Sequence, residues 1–272
     1  MPELPEVQTV VHYLKPYLKG KTIKSVEPLN GNEKVFVIRD LKVFQKEVAG
    51  QLICNVLRRG KYIIIDLAAG YLCIHLRMTG RLMANFSDRD NPKHFTARLS
   101  FTDGTSLYFK DYRKFGRIYF SRELDWLESK LGVEPLSKQF TAKRFYAALQ
   151  HSGRMIKPLL LDQGFIAGLG NIYVDEALWS AQIHPCFIAK QIEFKQVVVL
   201  HRAIRSILRK AIVLNGTTII NFTFGNNRTG SYADQLQVFG KQGKPCPHCN
   251  TILLKIRISQ RGTHICPNCQ KL

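Results

Sequence analysis

The sequence predicts an α+β protein of several domains, in which an antiparallel β-sandwich or barrel precedes a helical region and a small four-cysteine hairpin. Short β-branched runs dominate residues 22–120, and apolar residues at helical spacing dominate after residue 142. Two Cys-x-x-Cys pairs lie close to the C-terminus. The 272 residues are enough for one large domain or for two to three smaller ones with real cores.

The first predicted element is a helix over residues 5–18, which follows the opening stretch MPELPEV. Glu3 and Glu6 lie three residues apart, so their carboxylates share one face of this helix. They have a structural interpretation, because acidic residues suit the first turn of a helix. They also have a chemical one, in which Pro2 becomes the N-terminal residue and its amine works beside two carboxylates. Apolar residues recur at helical spacing at Val7, Val10, Val11, Leu14 and Leu18.

The strand-like region contains two adjacent β-rich runs and one clear hairpin. KYIIIDL (61–67) and YLCIHL (71–76) are rich in β-branched and aromatic residues. In ARLSFTDGTSLYF (97–109), Asp103-Gly104 separates two alternating runs, which is typical of a β-hairpin. Several short strands close together predict an antiparallel sandwich or barrel, against which the first helix packs.

A break at residues 131–141 indicates a linker, and helices follow it. The segment AGLGNIYVDEALW (167–179) places Asn171 after a Gly-rich turn, where we expect it to be the N-cap of a helix. Such a turn also presents free backbone N–H groups that suit a phosphate. Residues 222–243 are polar and Gly-rich, which is typical of a mobile loop. The helices are predicted at 142–151, 155–163, 171–182 and 193–215.

Two Cys-x-x-Cys pairs, CPHC and CPNC, are separated by sixteen residues near the end of the chain. This spacing favours a tetrahedral zinc site over a disulfide pair or a redox motif. Four thiolates complete the coordination shell and leave no open position, so we expect one structural Zn²⁺ and no organic cofactor. The intervening residues predict a β-hairpin with Gln260-Arg261-Gly262 near its tip. The four ligands are Cys246, Cys249, Cys266 and Cys269.

The charge balance predicts a polyanionic partner. Forty Lys and Arg against 20 Asp and Glu give a formal net charge of +20, which favours nucleic acid first and an anionic membrane surface second. No apolar run is long enough to span a bilayer, and we expect no secretory signal before the first helix. The cysteine usage is typical of an intracellular protein, so we expect a cytoplasmic one. Basic and apolar residues recur in the predicted loops RRGKYI (58–63), HLRMTGR (75–81) and DYRKFG (111–116).

Seven motifs occur in order along the chain: PELPEV, RRGKY, HLRMTGR, RKFG, AGLGNIYVDE, QVFGKQGKPC and RGTHICPNCQ. Through these motifs the whole chain closely resembles the bacterial formamidopyrimidine-DNA glycosylases. This resemblance implies removal of oxidised purines, such as 8-oxoguanine and formamidopyrimidines, followed by strand cutting through β- and δ-elimination. It also implies a catalytic β-sandwich domain at 1–132, a helix–two-turn–helix domain at 133–225, a lesion-covering loop at 226–243 and a zinc finger at 244–272.

The resemblance also assigns roles to particular residues. It implies that Pro2 is the nucleophile once Met1 is removed, that Glu3 protonates the sugar oxygen, and that Glu6 is a supporting carboxylate. The implied phosphate clamp around the lesion consists of Lys61, His75, Asn171 and Arg261, of which Lys61 and Arg261 are grouped with the catalytic residues. The residues implied to contact DNA in or near the vacated space are Met78, Arg113, Phe115 and Lys157, with Arg113 facing the orphaned cytosine.

Damaged double-stranded DNA is the partner that follows from this resemblance, and we expect a monomer with no membrane partner. Two alternatives remain open. One is an oxidised-pyrimidine glycosylase-lyase of the endonuclease VIII type, although Leu4 and the Met78-Arg113-Phe115 set favour the purine branch. The other is a non-catalytic zinc-finger DNA-binding protein, for which the N-terminal acids only begin a helix. The segment LNGNEKVFV (29–37) departs from the usual family pattern, and no catalytic position falls in it.

Overall fold

The computed structural model describes residues 1–37, 40–84, 91–217 and 230–272. The chain divides into two compact units. The first contains residues 1–128 and 214–231, and the second contains residues 129–213 and 232–272. The finer domain boundaries expected from the sequence, at residues 132, 225 and 243, stay predictions.

The first unit is an antiparallel β-sandwich with flanking helices. Its two four-stranded sheets have the strand orders β1-β6-β7-β5 and β2-β3-β4-β8. Side chains from both sheets and from helix α1 form one buried apolar cluster, which distinguishes a sandwich from the barrel that the sequence left open. Its elements are α1 (Leu4–Leu18), β1 (Ile23–Pro28), α2 (Leu41–Val48), β2 (Ile53–Arg59), β3 (Tyr62–Leu67), β4 (Gly70–His75), β5 (Gly80–Met83), β6 (Phe95–Phe101), β7 (Ser106–Asp111), β8 (Arg117–Ser121) and α3 (Asp125–Glu128).

Local chemistry explains the ends of these elements. The hairpin β6–β7 turns at Gly104, whose φ of +84° suits a residue without a side chain. Helix α2 lies within residues 22–120, which were expected to be strand-like, so that expectation is wrong for this segment. The Asp40 carboxylate caps α2 by accepting the backbone N–H groups of Lys42 and Val43. Phe44 and Val48 of α2 are buried in the core.

The second unit contains helices followed by a β-hairpin. All four predicted helices are present, with ends that differ from the prediction by no more than about two residues. The hairpin turns at Ser259 and Gln260, which both have positive φ, as a two-residue type I′ turn requires. Arg261 is therefore the first residue of the returning strand, directly after the tip. The elements are α4 (Ala142–Gln150), α5 (Ile156–Leu161), α6 (Asn171–Ser180), α7 (Phe194–Val213), β9 (Leu254–Ile258) and β10 (Arg261–Ile265).

Membrane-spanning helices were sought among the described residues. None of the helices there has both the length and the apolar character needed to cross a bilayer.

Candidate functional site

The N-terminal segment is buried and is held by a reciprocal helix cap. Glu3 is the N-cap of α1, and its carboxylate accepts the backbone N–H of Glu6. In return, Oε2 of Glu6 accepts the backbone N–H of Glu3 at 2.7 Å. Pro2 is buried, and Glu3 and Glu6 are only 4% and 2% exposed. The two acids therefore begin helix α1, as expected from their place in its first turn. The same cap fixes the position of Glu3, which directly follows Pro2.

Glu6 also holds a segment that is distant in sequence. Its Oε1 accepts the backbone N–H of Thr217 at 2.8 Å. At Gly216, where φ is +79°, an added Cβ would lie 2.8 Å from the same oxygen, so a side chain would disturb this contact. One carboxylate thus joins the N-terminus to residues 216–217. The expected lesion-covering loop at 226–243 lies partly outside the described residues, since those resume only at residue 230.

The turn between β2 and β3 and the end of β4 bring Lys61 close to His75. Tyr62 is paired with His75 across the sheet, and their rings meet edge to face at 4.7 Å. Lys61 is 5% exposed and His75 is 7% exposed. Burial, with the charges of Arg77 and Lys61 adding to it, lowers the pKa of His75 to about 3. Nδ1 of His75 accepts the backbone N–H of Arg77 at 3.0 Å, so the neutral ring carries its proton on Nε2, ready to donate.

We predict that His75 makes the protein less stable as the pH falls below about 6.5. The unfolded chain takes up a proton near that pH, whereas folded His75 does not until about pH 3. Between pH 7 and pH 5 this difference costs about 2 kcal/mol of unfolding free energy. His75→Asn should remove that part of the pH dependence in urea unfolding. His12→Asn, at an exposed histidine of α1, should keep it, and equal slopes for both variants would contradict the prediction.

An exposed cluster forms from three of the residues expected to contact DNA. Met78 and Phe115 are each 48% exposed, which is unusual for large apolar side chains. The Arg113 guanidinium donates to Sδ of Met78 at 3.0 Å and lies 4.8 Å from the centre of the Phe115 ring. The structure therefore brings Met78, Arg113 and Phe115 together at the surface of the first unit, and Met78 and Phe115 are not core residues.

Asp111 organises this cluster, and sequence reasoning missed it. Its Oδ1 accepts the hydroxyl of Thr79 and, at 3.1 Å, the backbone N–H of Arg113. Its Oδ2 accepts the backbone N–H of Gly116 at 2.7 Å. One buried carboxylate thus ties the loop of Arg113 to the turn that follows Met78. The motif DYRKFG contained a usable signal, because an Asp at its start often accepts the backbone N–H two residues later, as Asp111 does from Arg113.

Asp111→Ala is expected to lower the free energy of unfolding by about 2–4 kcal/mol, because buried donors lose a charged acceptor. It should also reduce binding to a duplex with an abasic site opposite cytosine, because Arg113 and Met78 lose their relative position. Thermal unfolding and fluorescence anisotropy test both effects. Glu123→Ala, at an exposed carboxylate of the same unit, serves as the control, and a native-like D111A variant would contradict the prediction.

In the second unit, the turn before α6 differs from the predicted one. Gly170, not Asn171, is the N-cap, and Asn171 is the first helical residue. Asn171 is free for another contact, and its Nδ2 donates to the Gly262 carbonyl of β10 at 2.9 Å. Gln163 shapes the turn, because it accepts the N–H of Gly168 and donates to the Leu169 carbonyl. No sequence signal pointed to Gln163.

A buried ion pair joins helices α5 and α6 to the hairpin. Nζ of Lys157 donates to Asp175 at 2.6 Å and to the Thr263 hydroxyl at 2.7 Å. The other oxygen of Asp175 accepts the backbone N–H of His264 at 2.9 Å and its ring Nδ1 at 3.1 Å. Lys157 is 0% exposed and supports the hairpin, and the expected contact of Lys157 with DNA stays a prediction. Arg261 begins the strand that these contacts hold.

Glu176 anchors the segment that leads to the hairpin. Its carboxylate accepts the backbone N–H groups of Gln237, Val238 and Phe239 at 2.8–3.1 Å. Burial raises the pKa of Glu176, and these three donors act in the opposite direction. Asp175 and Glu176 of α6 are both buried. They are internal acceptors that tie later parts of the chain to α6.

The four sequence-predicted cysteines form one cluster. Their sulfur atoms all lie within 4.8 Å of one another, with separations of 3.4–3.9 Å along Cys249–Cys266, Cys249–Cys269 and Cys246–Cys269. Four sulfurs at about 2.3 Å from a central zinc ion would be about 3.8 Å apart, whereas a disulfide needs about 2.05 Å. The donor set fits a structural zinc ion, which would hold the ends of β9 and β10 rigidly. Trp179 stacks on His248 beside this cluster at 4.1 Å.

Comparison with known proteins agrees with this modular arrangement of a sandwich, a helical unit and a four-thiolate hairpin. Residues 1–118 match the formamidopyrimidine-DNA glycosylase N-terminal domain, and residues 131–223 match the formamidopyrimidine-DNA glycosylase H2TH domain. Residues 243–272 match the zinc finger found in FPG and IleRS. These features define a zinc-containing member of the glycosylase class. The chain belongs to the formamidopyrimidine-DNA glycosylase family.

Individual relatives cover the entire chain. The formamidopyrimidine-DNA glycosylase of Pelotomaculum thermopropionicum is 43% identical, with 100% of both chains covered. A solved structure of MutM with DNA containing carbocyclic 8-oxo-G is 38% identical and has a TM-score of 0.89, again with 100% of both chains covered. Wild-type Lactococcus lactis Fpg (MutM), solved with DNA containing an oxidized pyrimidine, is 37% identical, with the same coverage and TM-score.

Proposed function

We propose that this chain is a bifunctional DNA glycosylase and AP lyase that removes oxidised purines, 8-oxoguanine and formamidopyrimidines, from duplex DNA in base-excision repair. The buried Pro2-Glu3-Glu6 arrangement carries the proposal. It places two carboxylates next to a residue whose amine becomes the chain terminus when Met1 is removed, and Met1 is 53% exposed. Relatives of the same length and fold carry the corresponding name or were solved with such DNA.

The chemistry begins at the amine of Pro2. A terminal amine with a pKa near 7.7–8.0 has an appreciable neutral fraction at pH 7, unlike a lysine side chain near 10.4. The neutral amine attacks C1′ of the damaged nucleotide, a C–N bond forms, the glycosidic bond breaks, and the departing base takes up the proton that the Pro2 nitrogen loses. Glu3 donates a proton to the sugar ring oxygen as the ring opens. The product is a cationic imine between Pro2 and the sugar.

Strand cutting follows from the same imine. The positive charge acidifies the C2′ protons, so loss of one of them expels the 3′ phosphate, and a second elimination expels the 5′ phosphate. Glu6 keeps the N-terminal segment in place through its contacts with Glu3 and Thr217. No step uses the zinc ion, because four thiolates fill its coordination shell.

The remaining site residues hold the DNA. Lys61 and the neutral His75 are assigned to the phosphates near the lesion in the first unit, and Asn171 and Arg261 have this role in the second. The exposed Met78-Arg113-Phe115 cluster has the mixed apolar and cationic character needed to fill the space left by an extruded nucleotide. A net charge of +20 suits the phosphate backbone. The chain acts as a monomer on damaged DNA in the bacterial cytoplasm.

Borohydride trapping tests this proposal. Protein lacking Met1 is mixed with a duplex that carries one 8-oxoguanine opposite cytosine, the imine is reduced, and the adduct is mapped by mass spectrometry. We expect a covalent adduct at Pro2 and a cleaved strand. The matched control is the same chain with an uncleaved N-terminal extension, in which the Pro2 nitrogen is an amide and cannot attack. An adduct elsewhere, or full activity in the extended form, would contradict the mechanism.

Oxidised pyrimidines are the second candidate substrates. One observation favours them: a relative with a TM-score of 0.89 was solved with DNA containing an oxidized pyrimidine. Leu4 and the Met78-Arg113-Phe115 cluster favour the purine branch. A panel of duplexes with 8-oxoguanine, formamidopyrimidine and an oxidised pyrimidine, compared by single-turnover rates, separates the two candidates.

A further inference from the structure

Helix α7 carries a strongly basic outer surface that the proposed chemistry does not use. Its apolar residues at 197, 200, 203, 204, 208 and 211 are buried, and the opposite side lines a cleft of about 310 Å³. We call this side the α7 basic face. It consists of His201, Arg202, Arg205, Ser206, Arg209 and Lys210.

The spacing of these residues places their charges in a row. Arg202, Arg205 and Arg209 recur at intervals of three and four residues, so they share one side of the helix, and Lys210 adjoins Arg209. Arg202 and Arg209 are seven residues apart, which is about 10 Å along the helix axis. This length corresponds to about three steps of 3.4 Å along one strand of duplex DNA.

Within the described part of the chain, no carboxylate forms an ion pair with the cations of this row. Arg202, Arg209 and Lys210 form no ion pair with any described residue. Four of the five acidic residues between 129 and 213 are bonded elsewhere. They are Asp162 with Arg154, Asp175 with Lys157, Glu193 with Lys195, and Glu176 with the backbone of residues 237–239.

Arg205 is fixed at the centre of the face. Its guanidinium donates to the carbonyls of Pro135 and Ser137 at 2.9 Å each and to that of Leu136 at 3.4 Å. Burial lowers the pKa of Arg205, and the neighbouring Arg209 lowers it further. Three carbonyl oxygens hold this cation in place without cancelling its charge. The positive charges of Arg205 and Arg209 are therefore kept close together, and a bound anion would reduce the repulsion between them.

His201 is fixed by the same segment. Its Nε2 lies 2.8 Å from the Phe140 carbonyl, and its ring lies 4.8 Å from the Phe140 ring. The bonded partners of the α7 basic face thus lie in residues 135–140. Asn171 and Arg261, which we assign to the lesion-bearing DNA, lie instead at the start of α6 and on β10.

We propose that the α7 basic face binds the phosphate backbone of a second DNA duplex while the first duplex occupies the lesion site. The inference rests on the proposed function for the first duplex and adds a DNA-contacting face on α7 to it. A row of fixed cations matches a regularly spaced polyanion, and the contact is electrostatic and independent of base sequence. Binding of two duplexes would let the protein move between DNA segments without full dissociation.

A two-duplex binding assay tests this inference. The full-length protein is saturated with a short unlabelled duplex containing a tetrahydrofuran abasic analogue, and a fluorescent undamaged 20-bp duplex is then titrated in. We expect the native protein to bind the second duplex with strong salt dependence. The R202Q/R209Q/K210Q variant should lower the slope of log K against log salt by about two to three and weaken second-duplex binding at least tenfold.

The matched control removes the same charge elsewhere. K34Q/K42Q/K46Q changes three exposed lysines of the first unit and should leave second-duplex binding close to native. Excision from a short 8-oxoguanine duplex should be unchanged in both variants. The inference is overturned if the native protein binds no second duplex, if both variants lose it equally, or if the basic face binds phosphatidylserine vesicles and not DNA. Failure of the proposed function would appear separately, as absent excision by native protein.

Discussion

Glu3→Gln is expected to lower the single-turnover rate of 8-oxoguanine excision by about 10²- to 10⁴-fold, the usual contribution of a general acid. Gln has nearly the shape of Glu and keeps a side-chain oxygen, so the N-cap contact to Glu6 N–H is retained. The substitution therefore removes the proton source while preserving the start of α1. Rapid-quench kinetics on a duplex with one 8-oxoguanine measures the rate.

Three measurements separate lost catalysis from lost structure. Circular dichroism and thermal unfolding of E3Q should match the native protein, and its affinity for a tetrahydrofuran-containing duplex should be unchanged. Glu33→Gln removes an equally charged but exposed carboxylate of the same unit and should excise at the native rate. A non-catalytic DNA-binding protein would bind identically in both variants and excise in neither. Native excision by E3Q would assign the proton transfer to another group.

Asp175→Asn is expected to cost about 3–5 kcal/mol of unfolding free energy, because the fully buried Lys157 ammonium loses its counter-charge. His264 also loses the carboxylate that accepts hydrogen bonds from its backbone N–H and from its ring Nδ1. Because these bonds hold β10, the position of Arg261 should become less well defined. We therefore expect weaker binding to abasic DNA together with the loss of stability, measured by anisotropy and urea unfolding.

A surface ion pair of the same unit provides the comparison. Asp162→Asn breaks the exposed contact with Arg154 and should cost no more than about 1 kcal/mol. The double variant K157M/D175L removes both buried charges and should recover part of the stability that D175N loses, since no unpaired ammonium remains. Recovered stability without recovered DNA affinity would establish a positioning role for the pair. A D175N variant as stable as D162N would contradict our account of the network.

Local sequence patterns were sufficient to predict those helices and turns whose structure depends mainly on neighbouring residues. The helix after MPELPEV, the hairpin at Asp103-Gly104 and the four helices of the second unit follow from apolar spacing and turn residues. The four zinc-ligand cysteines could also be predicted from the sequence, because each Cys-x-x-Cys pair supplies two ligands within four residues. Helix α2 is the one α-helix described within residues 22–120, and it was not predicted from the sequence. Its N-cap residue Asp40 was a usable signal, but β-rich segments on both sides favoured strands.

Side-chain roles, in contrast, depend on partners far away in the sequence. From the sequence, Asn171, Asp175 and Glu176 belong to a capped helix, yet they bond to Gly262, Lys157, His264 and the backbone of residues 237–239. Asp111 gains its role only when β7 meets the turn after Met78. Composition and motif spacing by themselves predicted the modules and the zinc ligands, and the family resemblance supplied the candidate nucleophile. Only the tertiary structure decided which polar groups are buried, because a buried donor or acceptor must find a partner wherever the fold provides one.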